Sequence, residues 1–329
     1  ETEGWLPLKH KKDHLIDGLD WQLIEAIDLF LIVIAIRYLR GATNDHNTMM
    51  VNVSRFNDIQ QKVPFEISDY LATLANSLRH FGNLYRDGIR SSSNKIQSLE
   101  ELFIREYKDV EVSFEDVLSV LIKHSHRVEV ELVNGMKKRA ALSRGSLDYG
   151  SRAESGYWVI AVGGLKLSRG LTLENLSITY FLRNALAYDT LTQMCRWFGY
   201  RPGYKDLCRL YLTTDSQDHY ISITRAIEDL YEQLRTMSIL DATPRELGLR
   251  IEKSDPVLLV TAKNKLGEGK EIDYNISMSA NFFGAYRPYR DISINKRNLE
   301  RLQAFIGDLR NIGIVERKAV NSNESRIFE

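Results

Sequence analysis

Tyr157-Trp158-Val159-Ile160-Ala161-Val162-Gly163-Gly164 and, beyond an Arg- and Gly-bearing segment, Leu176-Ser177-Ile178-Thr179-Tyr180-Phe181-Leu182 decide the fold. Each is a short, nearly continuous apolar run rich in β-branched and aromatic residues, the pattern of a strand buried on both faces. Reading outward, residues 127–133 alternate (Arg127-Val128-Glu129-Val130-Glu131-Leu132-Val133) and run into Asn134-Gly135, a strand entering a turn. Residues 48–53 are a further buried strand that passes through Ser54-Arg55 into a helix. A helix is expected over 21–39, with Asp20 as N-cap, Arg37 and Arg40 in or beside the last turn and Gly41 closing it. Its apolar residues Leu29, Phe30, Leu31, Ile32, Val33, Ile34 and Ile36 leave no polar face, so protein must enclose it on most sides.

Amphipathic helices are predicted over 65–89 and 99–123, separated by the turn-like Arg90-Ser91-Ser92-Ser93-Asn94. Downstream come a helix over 188–198, a strand over 207–213 and a long helix over 219–237. Strands alternating with helices imply an α/β fold, a mainly parallel sheet with helices on both faces. The character changes after Asp255-Pro256: strand-like 257–262, a turn at 265–270, alternating 271–278 and a helix near 298–309. The expected organisation is a linker over 1–20, a main domain over 21–250 with a helical insertion at about 57–125, and a small α+β accessory domain over 251–329.

A chain of 329 residues is long enough for about two domains. Its 44 Lys plus Arg balance its 44 Asp plus Glu, so any polyanion site must be local rather than a property of the whole surface. Locally basic stretches occur at Arg196, Arg201, Lys205 and Arg209, and at Arg287, Arg290, Lys296, Arg297 and Arg301. The longest apolar run, Leu29 to Ile36, falls well short of the roughly 20 residues of a membrane span. Cys195 and Cys208 alone supply neither a disulfide framework nor a four-cysteine zinc site, and a reducing, cytoplasmic setting is expected. The chain opens on Glu1 without a leader pattern, which suggests a piece of something longer.

Three segments carry candidate chemistry, and the parallel-sheet reading places them in loops beyond the carboxyl ends of strands. They are Val51-Asn52-Val53-Ser54-Arg55, then Gly163-Gly164 through Ser168-Arg169-Gly170-Leu171-Thr172, then Gln193-Met194-Cys195-Arg196-Trp197-Phe198-Gly199-Tyr200-Arg201. Paired glycines let backbone N–H groups approach a phosphate, and Ser168 and Arg169 add a donor and a charge. A strand-terminal Gly-Gly is also simply a tight turn. Arg196 and Arg201 flank a helix end and suit one shared anion, guanidinium being the preferred group on a transferring phosphoryl. Pairing with Asp189 and Asp206, or stacking with Trp197, Phe198 and Tyr200, are the bland alternatives.

These segments, in this order, resemble the fourth, fifth and sixth motifs of superfamily-two helicases. More closely, Leu167-Ser168-Arg169-Gly170-Leu171-Thr172-Leu173-Glu174, Tyr188-Asp189-Thr190-Leu191 and Arg196-Trp197-Phe198-Gly199-Tyr200-Arg201 resemble the Z-one (Z1) domain, over about residues 15–265. That family is described as a suggested endonuclease domain attached to a helicase in bacterial restriction and phage-defence proteins. The resemblance implies the second, RecA-like lobe of an ATP-dependent DNA helicase or translocase. It assigns Arg196 and Arg201, ordered by Gln193, to the ATP phosphates as catalytic groups. Arg169 and Gly170 would contact nucleotide, and Ser54, Arg55, Gly163, Gly164 and Ser168 nucleic acid. Implied partners are DNA, an N-terminal helicase lobe of the same protein, and a DNA methyltransferase or other defence proteins, with no membrane. Thr172 stands where many helicases carry Asp, and Cys195 where Gly precedes the motif arginine.

No G-x-x-x-x-G-K-[ST] phosphate loop occurs in the chain, and Gly269-Lys270 is followed by Glu271. A helicase motor needs that loop and its Mg2+ carboxylates from a first lobe, so ATP and Mg2+ are expected only in a full-length protein and no cofactor on this chain alone. For nuclease chemistry the best carboxylate set is Asp255 and Glu268 with Lys270, in a Gly-flanked turn. His10, His14, His46, His80, His124, His126 and His219 make no metal spacing, and no metal site is expected. A metal-dependent endonuclease domain and a non-catalytic interaction lobe remain the alternatives.

Overall fold

The computed structural model describes residues 5–7, 10–133, 147–168, 171–182, 188–194, 199, 201–241, 243, 292–311, 315–318 and 325–328. The chain divides into two compact units, residues 1–267 and 268–329.

The first unit is built on five strands, β1 (Asn47–Asn52), β2 (Glu129–Val133), β3 (Trp158–Gly163), β4 (Leu176–Phe181) and β5 (Arg209–Leu212). All pairings are parallel, in the order β2-β3-β1-β4-β5. The sheet is α/β as expected, of the RecA-like kind. Every residue of β1, β3 and β4 is buried, the signature of central parallel strands covered on both sides. The register places Val51 beside Val162 on one side and Tyr180 on the other.

Helix α1 (Trp21–Leu39) packs its apolar surface against the first face of the sheet. An Asp20 carboxylate oxygen accepts from the Gln22 amide and the Tyr180 hydroxyl, each at 3.1 Å, so the N-cap also ties the helix to β4. At the other end Gly41 adopts φ +96°, the left-handed turn that lets the Ala42 amide reach back to the Arg37 carbonyl. Three further helices complete this layer: α2 (Asn57–Arg86), α3 (Asn94–Tyr107) and α4 (Phe114–His124). They share one core with α1, Met49, Val51, Ile160, Val162, Ile178 and Tyr180. Within the segment read as an insertion, α2 packs directly on β2 and β3, while α3 and α4 pack on α1 and α2.

Two boundaries differ from the sequence pattern. α2 starts at Asn57 and runs through Pro64, because burial of Ile59, Val63 and Ile67 outweighs the one lost backbone hydrogen bond. The expected helix over 99–123 is two helices, since Ser113 and Asp116 form a capping box that starts α4 afresh.

The second face is covered by Leu147, Tyr149, Tyr157 and Leu167, the last from a short 3-10 turn, Leu165–Ser168. Against that turn lies α5 (Tyr188–Met194), which packs through Leu191 on α6 (Thr214–Leu240). The second unit contains α7 (Ile292–Asn311) and an antiparallel pair, β6 (Val315–Lys318) with β7 (Ser325–Phe328). The expected strands over 257–262 and 271–278 lie outside the described residues. No helix among the described residues is long and apolar enough to cross a membrane.

Candidate functional site

The connections leaving β1 and β3 go to opposite faces of the sheet: β1 feeds α2 on the first face, β3 feeds the 3-10 turn on the second. Adjacent strands whose connections diverge leave a crevice beyond their carboxyl ends, the ligand position of open parallel sheets. Ser54 and Arg55 follow β1, and Gly163 and Gly164 end β3, so the structure brings four of the five residues assigned to nucleic acid to adjacent carboxyl strand ends, of which Arg55 is exposed and the other three are buried. Ser168 closes the same turn.

Ser54 is only 1% exposed. Its hydroxyl accepts from the Phe56 amide (3.0 Å) and lies 2.7 Å from His10 Nε2. His10 Nδ1 faces the Pro7 carbonyl at 2.7 Å, which only accepts, so Nδ1 carries a proton and in the neutral ring Nε2 accepts from Ser54. The His10 ring also meets Phe56 edge-on at 5.6 Å. Residues 10–14 therefore lie over the end of β1, with the Lys62 ammonium donating to the His14 carbonyl (3.3 Å).

Arg55 is exposed, stands 4.8 Å over the Phe56 ring and makes no ion pair among the described residues. Phe56 caps α2 without a side-chain hydrogen bond, so the first turn presents backbone N–H groups beside Arg55. Lys11, Lys12 and Lys166 are exposed around this edge, and Asp13 and Asp58 are the exposed acids near them.

The two glycines have a packing explanation. A Cβ on Gly163 would collide with the Val133 carbonyl of β2, and one on Gly164 with the Gln60 side-chain amide. Gln60 is buried and donates to the Ser54 carbonyl at 2.9 Å, which orients its amide and leaves Oε1 buried without a partner. Asn52 Oδ1, on the last residue of β1, is likewise buried and unpartnered. Asn52 lies within the strand-end segment 51–55, whereas nothing in the sequence links His10 to Ser54 or Gln60 to Gly164.

Arg201, at the end of the third segment, lies elsewhere. α5 is the crossover between β4 and β5, and a crossover to a parallel strand must return the chain to the amino end of the sheet. Arg201, beyond that crossover, donates from Nε to the carbonyl of Leu176, the first residue of β4, at 3.0 Å. It sits about 17–20 Å from the crevice along a six-residue strand with a rise of ~3.3 Å per residue. The expectation that all three segments lie beyond carboxyl ends is corrected on this point. Gln193, in the last turn of α5, is exposed. Arg169, Gly170 and Arg196 lie outside the described residues, as do Cys195, Asp255, Glu268 and Lys270. Among the described residues no three His, Cys, Asp or Glu side chains stand close enough to hold a metal ion.

No curated protein and no solved structure matches this chain. The sequence profile of the Z1 domain matches residues 22–259, from the first turn of α1 to well past α6, and the chain belongs to the Z1 domain family.

Proposed function

We propose that this chain is the second, RecA-like lobe of an ATP-dependent DNA helicase or translocase of a restriction or phage-defence system, with the carboxyl-edge crevice meeting the nucleic-acid backbone. The observation that carries the reading is Arg55: exposed, without an ion pair among the described residues, and set beside the open first turn of a helix at a diverging strand pair. Phosphate oxygens suit such a place, since helix N–H groups and a guanidinium donate to them together. Lys11, Lys12 and Lys166 extend the positive edge although the whole chain is neutral.

In this reading Arg196 and Arg201 serve the nucleotide phosphates and Arg169 and Gly170 link the two ligands. The chain contains no phosphate loop of its own, so ATP and Mg2+ require a further lobe. The Arg201 guanidinium donates through Nε to the Leu176 carbonyl at the amino end of β4, apart from the carboxyl strand ends. In this reading nucleotide and nucleic acid occupy separate sites on one lobe.

Two measurements test the proposal. DNA-stimulated ATP hydrolysis, in the protein that carries both lobes, is expected to fall about a thousandfold in Arg201→Ala with folding intact, the scale of an arginine finger. Unchanged hydrolysis removes Arg201 from the nucleotide and favours a non-catalytic interaction lobe. The endonuclease reading attached to the family rests on Asp255, Glu268 and Lys270, and Mg2+-dependent nicking by this chain, lost in Glu268→Ala, selects it instead.

A further inference from the structure

Residues 10–14 run as a strap over the end of β1, and the serine beneath them is already committed. Ser54 is 1% exposed, and a hydroxyl has a single proton to donate. The neutral His10 ring takes that proton at Nε2, 2.7 Å away, while the Phe56 amide occupies an acceptor site of the same oxygen at 3.0 Å. Phosphate oxygens only accept, so Ser54 has neither a donor nor an exposed face to offer them. The motif position matched to a nucleic-acid contact is thus filled from within the chain.

The strap is fixed on both sides of that bond. Leu6 is buried in the core, the Trp5 indole N–H donates to the Gly18 carbonyl at 2.9 Å, and His14 Nε2 donates to the Trp5 carbonyl at 2.8 Å. Backbone bonds from the His10 amide to the Pro7 carbonyl (2.9 Å) and from the His14 amide to the Lys11 carbonyl (3.3 Å) close successive turns. The second turn carries Lys12 and Asp13 at its corner, and Lys11, Lys12 and Asp13 are all exposed. Neither lysine makes an ion pair among the described residues. The Phe56 ring touches both the Arg55 guanidinium, at 4.8 Å, and the His10 ring, at 5.6 Å, which sets Lys11 and Arg55 along one edge.

We propose that Ser54 and His10 are positioning residues, and that Lys11 and Lys12 of the strap, together with Arg55, make the phosphate contacts at the end of β1. This inference rests on the nucleic-acid reading of the crevice and moves Ser54 from contact to support. The Ser54–His10 bond holds two lysines, on a loop that would otherwise wander, beside a guanidinium already settled on Phe56. Fixing them in advance removes part of the ordering cost of binding. Asp13 in the same turn offsets part of their charge.

The test is binding of the 329-residue chain to a fluorescein-labelled DNA duplex with a single-stranded tail, read by anisotropy over a range of KCl concentrations. Lys11→Ala with Lys12→Ala is expected to lower the slope of log affinity against log salt by about 2. His10→Ala and Ser54→Ala remove no charge, a neutral imidazole and a hydroxyl, yet each is expected to weaken binding and lower the slope by about 1. In the chain that already lacks both lysines, neither is expected to change affinity by more than about twofold, the non-additivity of residues that act through one another. His10→Ala also separates the two roles of Ser54 by sign: it uncovers the hydroxyl and frees its proton, so a direct contact tightens binding, whereas a positioning role weakens it. His10 is partly exposed, and thermal melts of its variant confirm an intact fold. Tighter binding in His10→Ala, additive losses, or a slope unmoved by the lysine pair overturns the proposal and leaves the crevice reading in place. Absence of DNA binding by the wild-type chain removes the crevice reading itself, and this inference with it.

Discussion

Asp28 shows how one side chain sets a pH dependence. It lies in the apolar run of α1, 7% exposed, and accepts from the Tyr70 hydroxyl at 2.7 Å. Burial dominates and pushes its carboxyl up to about 7, against the Tyr70 bond and nearby Lys95. A carboxyl that titrates near 4 when unfolded then holds its proton more tightly in the folded state. Its contribution to stability is complete below about pH 4 and is lost progressively as pH rises to about 7. About three pH decades at about 1.4 kcal/mol each bound the effect near about 4 kcal/mol. Denaturant midpoints of wild type relative to Asp28→Asn are expected to fall across this window and level off above it; parallel profiles refute the assignment. Gly163 supplies a second prediction at this scale. Gly163→Ala drives a Cβ into a backbone carbonyl that cannot rotate away and is expected to cost about 1–3 kcal/mol, whereas Gly164→Ala displaces the end of Gln60 and costs less. Equal loss of stability in the two variants contradicts this packing account.

Caps decide where elements begin. Asp20 accepts from the first turn of α1 and from Tyr180, so Asp20→Ala removes a cap and strands a buried hydroxyl. The loss is expected to be about 2 kcal/mol, at the upper end for caps, while Asn, which retains an acceptor, restores much of it. Ser113→Ala, at an exposed capping box, is expected to cost about 1 kcal/mol. A thermal-melt series ranking Ser113→Ala above Asp20→Ala inverts the expected order. The break at Ser113 was present in the sequence as Ser followed three residues later by Asp, masked by amphipathic periodicity that continues through residues 99–123. α2 is the reverse case: the helix expected over 65–89 begins at Asn57, because the turns before Pro64 carry Ile59 and Val63 into the core.

The whole molecule is electrically neutral, so its proposed DNA contact depends on a few cations at one edge rather than on its overall field. Binding is therefore expected to be weak, with a shallow salt dependence set by those few contacts, and Arg55→Ala is expected to lower the slope of log affinity against log salt by about 1. A slope that survives the substitution removes Arg55 from the contact. The purified chain is expected to show no ATP turnover, because a phosphate loop is absent from its sequence, and measurable hydrolysis overturns the two-lobe proposal.

Strand and helix order, the parallel sheet, the α1 cap and the resemblance to the Z1 family were all legible in local patterns, because hydrophobic period and capping chemistry act between near neighbours in the chain. What lay out of reach depends on contacts between distant segments. The His10 ring over Ser54, Gln60 against Gly164 and Tyr70 against Asp28 each join residues that nothing in the sequence brings together. Arg201 was visible as a motif arginine, but only the return of the crossover through α5 places it at the amino end of β4. Local sequence thus determined which elements form, while their packing decided which residues meet, since side-chain proximity across a sheet follows from strand order and crossing direction, which no local pattern encodes.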